Sequence, residues 1–481
     1  MKMRMVKFDF TTKTKAFPHQ IEATEFMKGE KNTPLFDEQG LGKSKVVIDT
    51  LCSDIENGII DAALIICKKT LLNTWKKEIS IHSHLSSTIL GGTISSRGHS
   101  FMQFSHFYII NYESVISELE RMEMFLKLKK FAVILDESHV IKNPDSKVTR
   151  SILDLSDLAV KKIIITGTPI ANKPEDLWSQ FYFLDGGKTL GASYLDFKNL
   201  FKIDLRGTNL KEYEKNLKIL REKIDKIAIR RTKNVLELPE KIYSDIFVEL
   251  NGKQKLMYDK LKEELYLEIK NTDGRLIIEQ IDNYLVKLLR LTQIASNPKL
   301  IDDSYIEVPS KFLKIDELVN EIIGRKEKVI IWTSFRENIR LLRKRYENFG
   351  SLMLFGDIPI SDRNDIVDKF VGNELYKVLI ANPAAAKEGL TLTSANNAIY
   401  LDRSFKMDDY LQSQDRIHRI SQTKKCNIIK ILAKGTIDEY TDEILEKKHL
   451  ISQFALGDIT DITYNNEILS KENILQILGG I

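Results

Sequence analysis

The sequence predicts an α/β protein made of two parallel-sheet lobes. Two observations carry this. Short runs of Ile, Leu and Val, not alternating with polar residues, recur in two separate regions of the chain. Such runs suit strands buried on both faces of a parallel sheet. Between them lie longer stretches with helical spacing, and strand–helix alternation met twice argues for two lobes.

In the first region the runs are "TPLF", "AALIIC", "FYIIN", "FAVILD" and "KKIIIT". In the second they are "KVIIWT", "SLMLF", "YKVLIA", "NAIYL" and "CNIIKIL". Helical spacing is predicted over Lys43–Asn57, Thr70–Ser80 and Phe335–Phe349. From about Lys173 to Asn297 strand-like runs nearly vanish, and "KEYEKNLKILREKIDKIAIR" and "KQKLMYDKLKEELYLEIKN" read as charged amphipathic helices. Pro239, in "LELPEK", disfavours a continuous helix and marks a hinge candidate.

At 481 residues the chain exceeds one ordinary core. Its balance of 72 basic against 68 acidic residues gives a net charge of +4, so nucleic-acid contact requires a local groove rather than a whole-surface field. The basic first fifteen residues suit either a solvated terminus or a contact. Cys52, Cys67 and Cys426 are far apart, which speaks against disulfides and a zinc cluster and fits a reducing interior. His82, His84, His99 and His106 lack metal-ligand spacing. Trp75, Trp178 and Trp332 read as packing residues. With no signal-peptide core and no membrane-length apolar run, a soluble intracellular protein is expected, in cytoplasm or nucleoid, or in a nucleus if eukaryotic.

"FDEQGLGKSK" nearly matches the phosphate-loop pattern G-x-x-x-x-G-K-[ST], with Asp37 where the first glycine belongs. It follows a strand-like run and precedes a helix, the context such a loop needs. Lys43 is the candidate for the β- and γ-phosphates and Ser44 for Mg²⁺. In "FAVILDESHVIKN" a buried strand ends in two carboxylates. Asp136 is placed to hold Mg²⁺, and Glu137 to orient and deprotonate the attacking water. His139 either couples this segment to the later "ITGTP" or is a polar loop residue.

These residues carry a resemblance. "DEQGLGKS" and "LDESH…IKN" resemble motifs I and II of Swi/Snf-type ATPases of helicase superfamily two, whose loop characteristically begins Asp-Glu. "FPHQ" resembles the Q motif, which implies that Gln20 reads adenine. "LIICKKTLLNTWKKEI" resembles motif Ia, with Lys68 in place of the usual proline, and "IINYESV" resembles motif Ib. "ITGTPIANKPEDLWSQFYFL" is similar to motif III and its following helix. "AIRRTK" resembles the basic element that closes the first half, and "ASNPKLI" an Asn-His-Pro-type segment. "VIIWTSF", "AAAKEGLTLTSANNAIYLDRSF" and "QSQDRIHRISQ" resemble motifs IV, V and VI, with Lys387 replacing a common glycine.

The resemblance implies two RecA-like lobes with ATP and Mg²⁺ between them. Lobe one is expected over 1–236, with a helical protrusion over about 173–236. Lobe two is expected over 237–446, with a helical insertion over about 250–297, and a helical tail over 447–481. It further implies nucleotide contacts from Gln20, Asp37, Gln39, Gly40, Leu41, Gly42, Lys43, Ser44 and Gly389. Arg416 and Arg419, three apart on a predicted helix, resemble paired arginine fingers facing one direction. Lys142, Asn143, Thr168, Ser334 and Thr391 are candidate DNA-backbone contacts, and Thr166 is a further phosphate or relay candidate. The implied activity is ATP hydrolysis coupled to movement along duplex DNA, in a compact form like bacterial, phage or annealing-helicase members. A motor subunit whose protein partner supplies a nuclease or targeting function, a strand-separating DNA or RNA helicase, and a silent DNA-binding scaffold remain open.

Overall fold

A computed structural model describes residues 8–202, 209–271, 281–385 and 390–459. The chain divides into two compact units, Met1–Leu236 with Ile451–Ile462, and Glu237–Leu450 with Thr463–Ile481.

The first unit holds β1 (Asn32–Leu35), β2 (Ala62–Cys67), β3 (Ser87–Ile89), β4 (Phe107–Asn111), β5 (Phe131–Asp136) and β6 (Lys161–Ile165). They form one sheet in the order β1-β6-β5-β2-β4-β3, with every pair parallel. All residues of β2, β4 and β6 are buried, so β2 reads as an unbroken apolar run, and β4 and β6 carry polar residues only at one end, Asn111 and Lys161 with Lys162. The helix Lys43–Glu56 sets Val46, Val47 and Leu51 into one core with Ile65, Ile134 and Ile163. Each such side chain contributes about 1.5–3 kcal/mol when fully buried. The strand register places Leu35 and Asp136 both opposite Ile165. The C-terminal ends of β1, β6 and β5 are therefore level, on the edge where parallel sheets bind ligands.

Helices Trp178–Asp185, Tyr194–Leu200 and Leu210–Asp225 come after β6. The chain then returns beside β1, where Ile229 bridges Leu35 in parallel. Past the helix Ile437–Ala455, Asp458 accepts two hydrogen bonds from Arg230, at 2.9 and 2.6 Å.

The second unit holds β7 (Lys241–Val248), β8 (Val329–Trp332), β9 (Ser351–Leu354), β10 (Val378–Ala381), β11 (Asn397–Tyr400) and β12 (Cys426–Ala433). Their order is β7-β12-β11-β8-β10-β9, again all parallel. Helices Gly252–Asn271 and Ile281–Ser296 come between β7 and β8. They build a separate apolar cluster with Tyr440 and Ile444.

Two strands depart from the expected pattern. β3 was not expected, and β7 lies in the stretch expected to be nearly strand-free. Both are sheet edges. β7 buries none of its residues fully and alternates partly buried with exposed positions along much of its length, so "KIYSDIFV" lacks the apolar run of a central strand. Among the described residues no helix is long and apolar enough to cross a membrane.

Candidate nucleotide site

The loop after β1 depends on two glycines with positive φ, Gly40 at 92° and Gly42 at 77°. Gly42 caps the helix Lys43–Glu56, so the N-terminal end of that helix, which favours anions, lies at the loop. Lys43 Nζ turns back over the loop and donates to the carbonyls of Asp37 (2.8 Å) and Glu38 (3.1 Å). The loop has close neighbours on two sides. A Cβ on Gly42 would lie 2.2 Å from Gln20 Nε2. A Cβ on Gly167, after β6, would lie 2.9 Å from Gln39 Cγ and 3.5 Å from Lys43 Nζ. Glycine at both positions permits these approaches. Gln20 Nε2 donates to Leu41 O (3.2 Å), while its Oε1 accepts from Phe17 N (2.9 Å). Leu41 itself is fully buried.

The missing first glycine has a physical explanation. Asp37 is wholly buried, and its carboxylate accepts from Arg231 Nε (3.1 Å) and Nη2 (2.9 Å). Glu38 accepts from Lys233 N at 2.6 Å. Asp-Glu thus anchors the loop to "RRTK", which runs beside β1, and Asp37 offers Lys43 its backbone carbonyl rather than its side chain. Removing one partner of a buried ion pair typically costs about 3–5 kcal/mol. Arg231→Met is expected to lower stability by about that amount, read as an earlier urea midpoint. Asp37→Gly, which restores the common loop pattern, is expected to weaken ATP binding rather than improve it. An Arg231→Met midpoint equal to the parent's would show that the pair does not explain Asp37.

At the end of β5 the backbone of Glu137 is left-handed, with φ 54° and ψ 50°. A non-glycine residue there carries strain of about 1–3 kcal/mol, a feature that clusters at functional sites. The turn starts a short 3₁₀ helix, Ser138–Ile141. Asp136 Oδ2 accepts from Trp75 Nε1 at 2.7 Å, and its backbone carbonyl accepts from Tyr112 Oη at 2.9 Å. Loss of hydration first, and the neighbouring Glu137 charge second, push the Asp136 carboxyl up to about 6. Glu137 is 9% exposed, and its Oε1 accepts from Gln39 Nε2 at 3.2 Å, which joins the acidic end to the phosphate loop. His139 Nδ1 lies 3.3 Å from both Glu137 Oε2 and Thr166 Oγ1. Lys68 Nζ lies 3.2 Å from His139 Nε2.

Ser138 Oγ donates to Gln180 Oε1 (2.6 Å), and Gln180 Nε2 donates to Pro169 O (3.0 Å). A fully buried glutamine thus ties the acidic turn to the "TGTP" turn. Trp75 and Gln180 are site residues that pattern alone did not single out. No group of three or more His, Cys, Asp or Glu able to hold a metal occurs among the described residues. The Ser44 hydroxyl and Asp136 carboxylate are nonetheless hard oxygen donors of the kind that suits Mg²⁺, which takes one or two protein ligands and completes its shell with phosphate and water.

In the second unit the expected shared helix of Arg416 and Arg419 does not form. The helix Met407–Gln414 ends before both, and residues 415–421 are turns and bends. Beyond the helix, Gln422 donates its side-chain amide to Ile417 O (3.0 Å), Ala395 O (3.0 Å) and Thr393 O (3.2 Å). Arg416 is 1% exposed and donates to Gln412 O (3.0 Å) and Leu390 O (3.4 Å). Arg419 is partly exposed and donates to Asp415 O and to Thr391 Oγ1, both at 3.0 Å.

The DNA candidates are dispersed. Thr391 engages Arg419 as described, and Thr168 Oγ1 is buried. Lys142 Nζ lies 3.9 Å from Asp176 Oδ2, and Asn143 Oδ1 accepts from Asp145 N (3.0 Å). Ser334 N donates to Asp402 Oδ1 (2.6 Å), and Asp402 Oδ2 also accepts from Thr333 and Ser296 hydroxyls. Asp402 therefore holds the turn after β8, a role its position in "YLDRSF" did not reveal. Gly389, expected to contact nucleotide, lies outside the described residues.

A phosphate loop, an acidic strand end and a TGT turn, level on three neighbouring parallel strands, define a P-loop nucleotide-site architecture. The chain matches the SNF2-related domain over residues 19–300 and the helicase conserved C-terminal domain over residues 311–421. It belongs to the SNF2-related family of superfamily-two ATPases and is an ATP-hydrolysing enzyme of that class. It is 30% identical over 460 residues to an uncharacterized ATP-dependent helicase of Mycoplasma genitalium, covering 92% of this chain and 42% of that protein. It is 26% identical over 497 residues to a DNA repair and recombination protein of Saccharomyces cerevisiae, covering 93% of this chain and 51% of that protein. The chain thus spans about half or less of these relatives. A solved Sulfolobus solfataricus SWI2/SNF2 ATPase core in complex with dsDNA is 27% identical, with a TM-score of 0.45, over 93% of this chain and 95% of that one.

Proposed function

We propose that the protein is a duplex-DNA-dependent ATPase that hydrolyses ATP to ADP and phosphate and moves along the DNA backbone. The observation that carries the reading is the junction of loop and acidic turn, where Gln39 bonds Glu137 and Gly167 packs on Gln39 and Lys43. Gln20 reads adenine from beside the loop. Lys43 leaves its loop carbonyls for the β- and γ-phosphates. Ser44 and Asp136 would hold Mg²⁺, which when bound offsets phosphate charge. Glu137 accepts the proton of the attacking water. Arg419 is the residue assigned to offset charge on the transferring phosphoryl group. Lys142, Asn143 and Ser334 grip DNA phosphate without reading bases.

The test is ATP turnover with no nucleic acid, duplex DNA, single-stranded DNA and RNA. Duplex DNA is expected to stimulate most. Duplex binding is expected to weaken by about 0.9 log units per tenfold rise in salt for each phosphate neutralised. Equal turnover with and without duplex in low salt overturns the duplex assignment, and RNA as the best activator points to an RNA helicase.

A further inference from the structure

We propose that Lys68 is a positioning residue that sets the tautomer of His139 and thereby aims the Glu137 carboxylate. The proposal rests on the reading of Glu137 as the group that takes the water's proton.

Lys68 comes directly after β2, with φ −66° and ψ 147°, and its ammonium reaches His139 Nε2 at 3.2 Å. An ammonium has protons and no acceptor, so this contact needs a lone pair on Nε2. A neutral imidazole with its lone pair on Nε2 carries its proton on Nδ1. Nδ1 is the nitrogen that faces Glu137 Oε2 and Thr166 Oγ1, each at 3.3 Å. The Thr166 hydroxyl oxygen already accepts from Thr168 N at 3.1 Å. With the proton on Nδ1, the imidazole presents its N–H to Thr166 Oγ1 and to the side of the carboxylate, each 3.3 Å away, so the ring shows Glu137 Oε2 positive rather than negative charge density. With the other tautomer, two lone pairs would oppose each other at that distance, and the carboxylate would turn away.

Glu137 has one carboxylate oxygen hydrogen-bonded to the phosphate loop and the other facing the His139 ring. Gln39 donates to Oε1 from the phosphate loop, and His139 addresses Oε2 with its orientation fixed from β2. The "CKKTLL" segment resembles one that usually carries proline at position 68. Proline suits the same φ but has no side-chain donor, so this setting of the histidine belongs to the lysine.

The chain is compared with Lys68→Met, Lys68→Arg and Glu137→Gln. A positioned base contributes about 10²–10⁴-fold, and losing its aim in Lys68→Met is expected to lower kcat about tenfold with little change in KM for ATP. Lys68→Arg is expected to restore most of kcat, because a guanidinium also only donates. Histidine-selective ¹⁵N NMR gives an activity-independent readout, with His139 assigned from a His139→Gln spectrum. The parent and Lys68→Arg are expected to show protonated Nδ1 and bare Nε2, and Lys68→Met a shift toward protonated Nε2. Protonated Nε2 in the parent overturns the proposal, as does parental kcat in Lys68→Met beside an inactive Glu137→Gln. Parental hydrolysis by Glu137→Gln overturns the base assignment instead, while the tautomer measurement still decides what Lys68 does to His139.

Discussion

Glu137→Gln is expected to bind ATP like the parent and hydrolyse it about 10²–10⁴ times more slowly. The substitution keeps size and shape, so the left-handed turn after β5 has no new atom to accommodate. The amide oxygen can still accept the Gln39 hydrogen bond now made by Oε1. What is lost is a place for the water's proton, because an amide cannot take it at neutral pH. The neighbouring carboxylate gains from the change. Glu137's charge is the second cause, after lost hydration, that holds Asp136 up at about 6. Its removal lowers that pKa, which favours the charged form of the carboxylate proposed for Mg²⁺. Nucleotide affinity and single-turnover hydrolysis, measured on one preparation, separate binding from chemistry. Hydrolysis within a few-fold of the parent would remove Glu137 from the chemistry.

The central strands were legible because burial on both faces leaves mostly apolar side chains. "AALIIC" and "FAVILD" could not satisfy a one-sided surface. β3 and β7 escaped for the complementary reason: no residue of either is fully buried, so neither carries an apolar run. The loop itself was visible from Gly42, Lys43 and Ser44, since phosphate binding needs those residue types in order. The reason for Asp37 was not visible, because Arg231 lies 194 positions away and no local pattern joins them. Trp75 hid in the same way. A tryptophan in an amphipathic helix reads as packing, and it is indeed 2% exposed, yet its one polar atom is spent on Asp136. The motif VI helix was over-extended because spacing alone cannot register that Gln422 captures the carbonyl of Ile417.

Arg419→Ala is expected to lower ATP turnover by about 10³–10⁵, the range for an arginine finger, while leaving ATP binding largely intact. The two arginines of "DRIHRI" should now give different results. Arg416 is sealed inside the second unit with its guanidinium on the carbonyls of Gln412 and Leu390. Its truncation strands those acceptors and opens a buried space, so Arg416→Ala should fail first in stability, as an earlier urea midpoint. Arg419 is less deeply placed, and among its partners are the Asp415 carbonyl and the exposed Thr391 hydroxyl. Those bonds can be exchanged for phosphate oxygens at small cost, because water or a neighbouring donor can satisfy what is left behind. A positive charge brought to the γ-phosphate as bonds break acts on charge that develops in the transition state, so it changes turnover more than affinity. Thr391→Val offers a control. It removes the hydroxyl partner without touching the guanidinium and should change turnover far less than Arg419→Ala. Nucleotide affinity, single-turnover hydrolysis and urea midpoints for the three variants test the division of labour. Hydrolysis by Arg419→Ala within a few-fold of the parent, with Arg416→Ala inactive but as stable as the parent, would exchange the two roles.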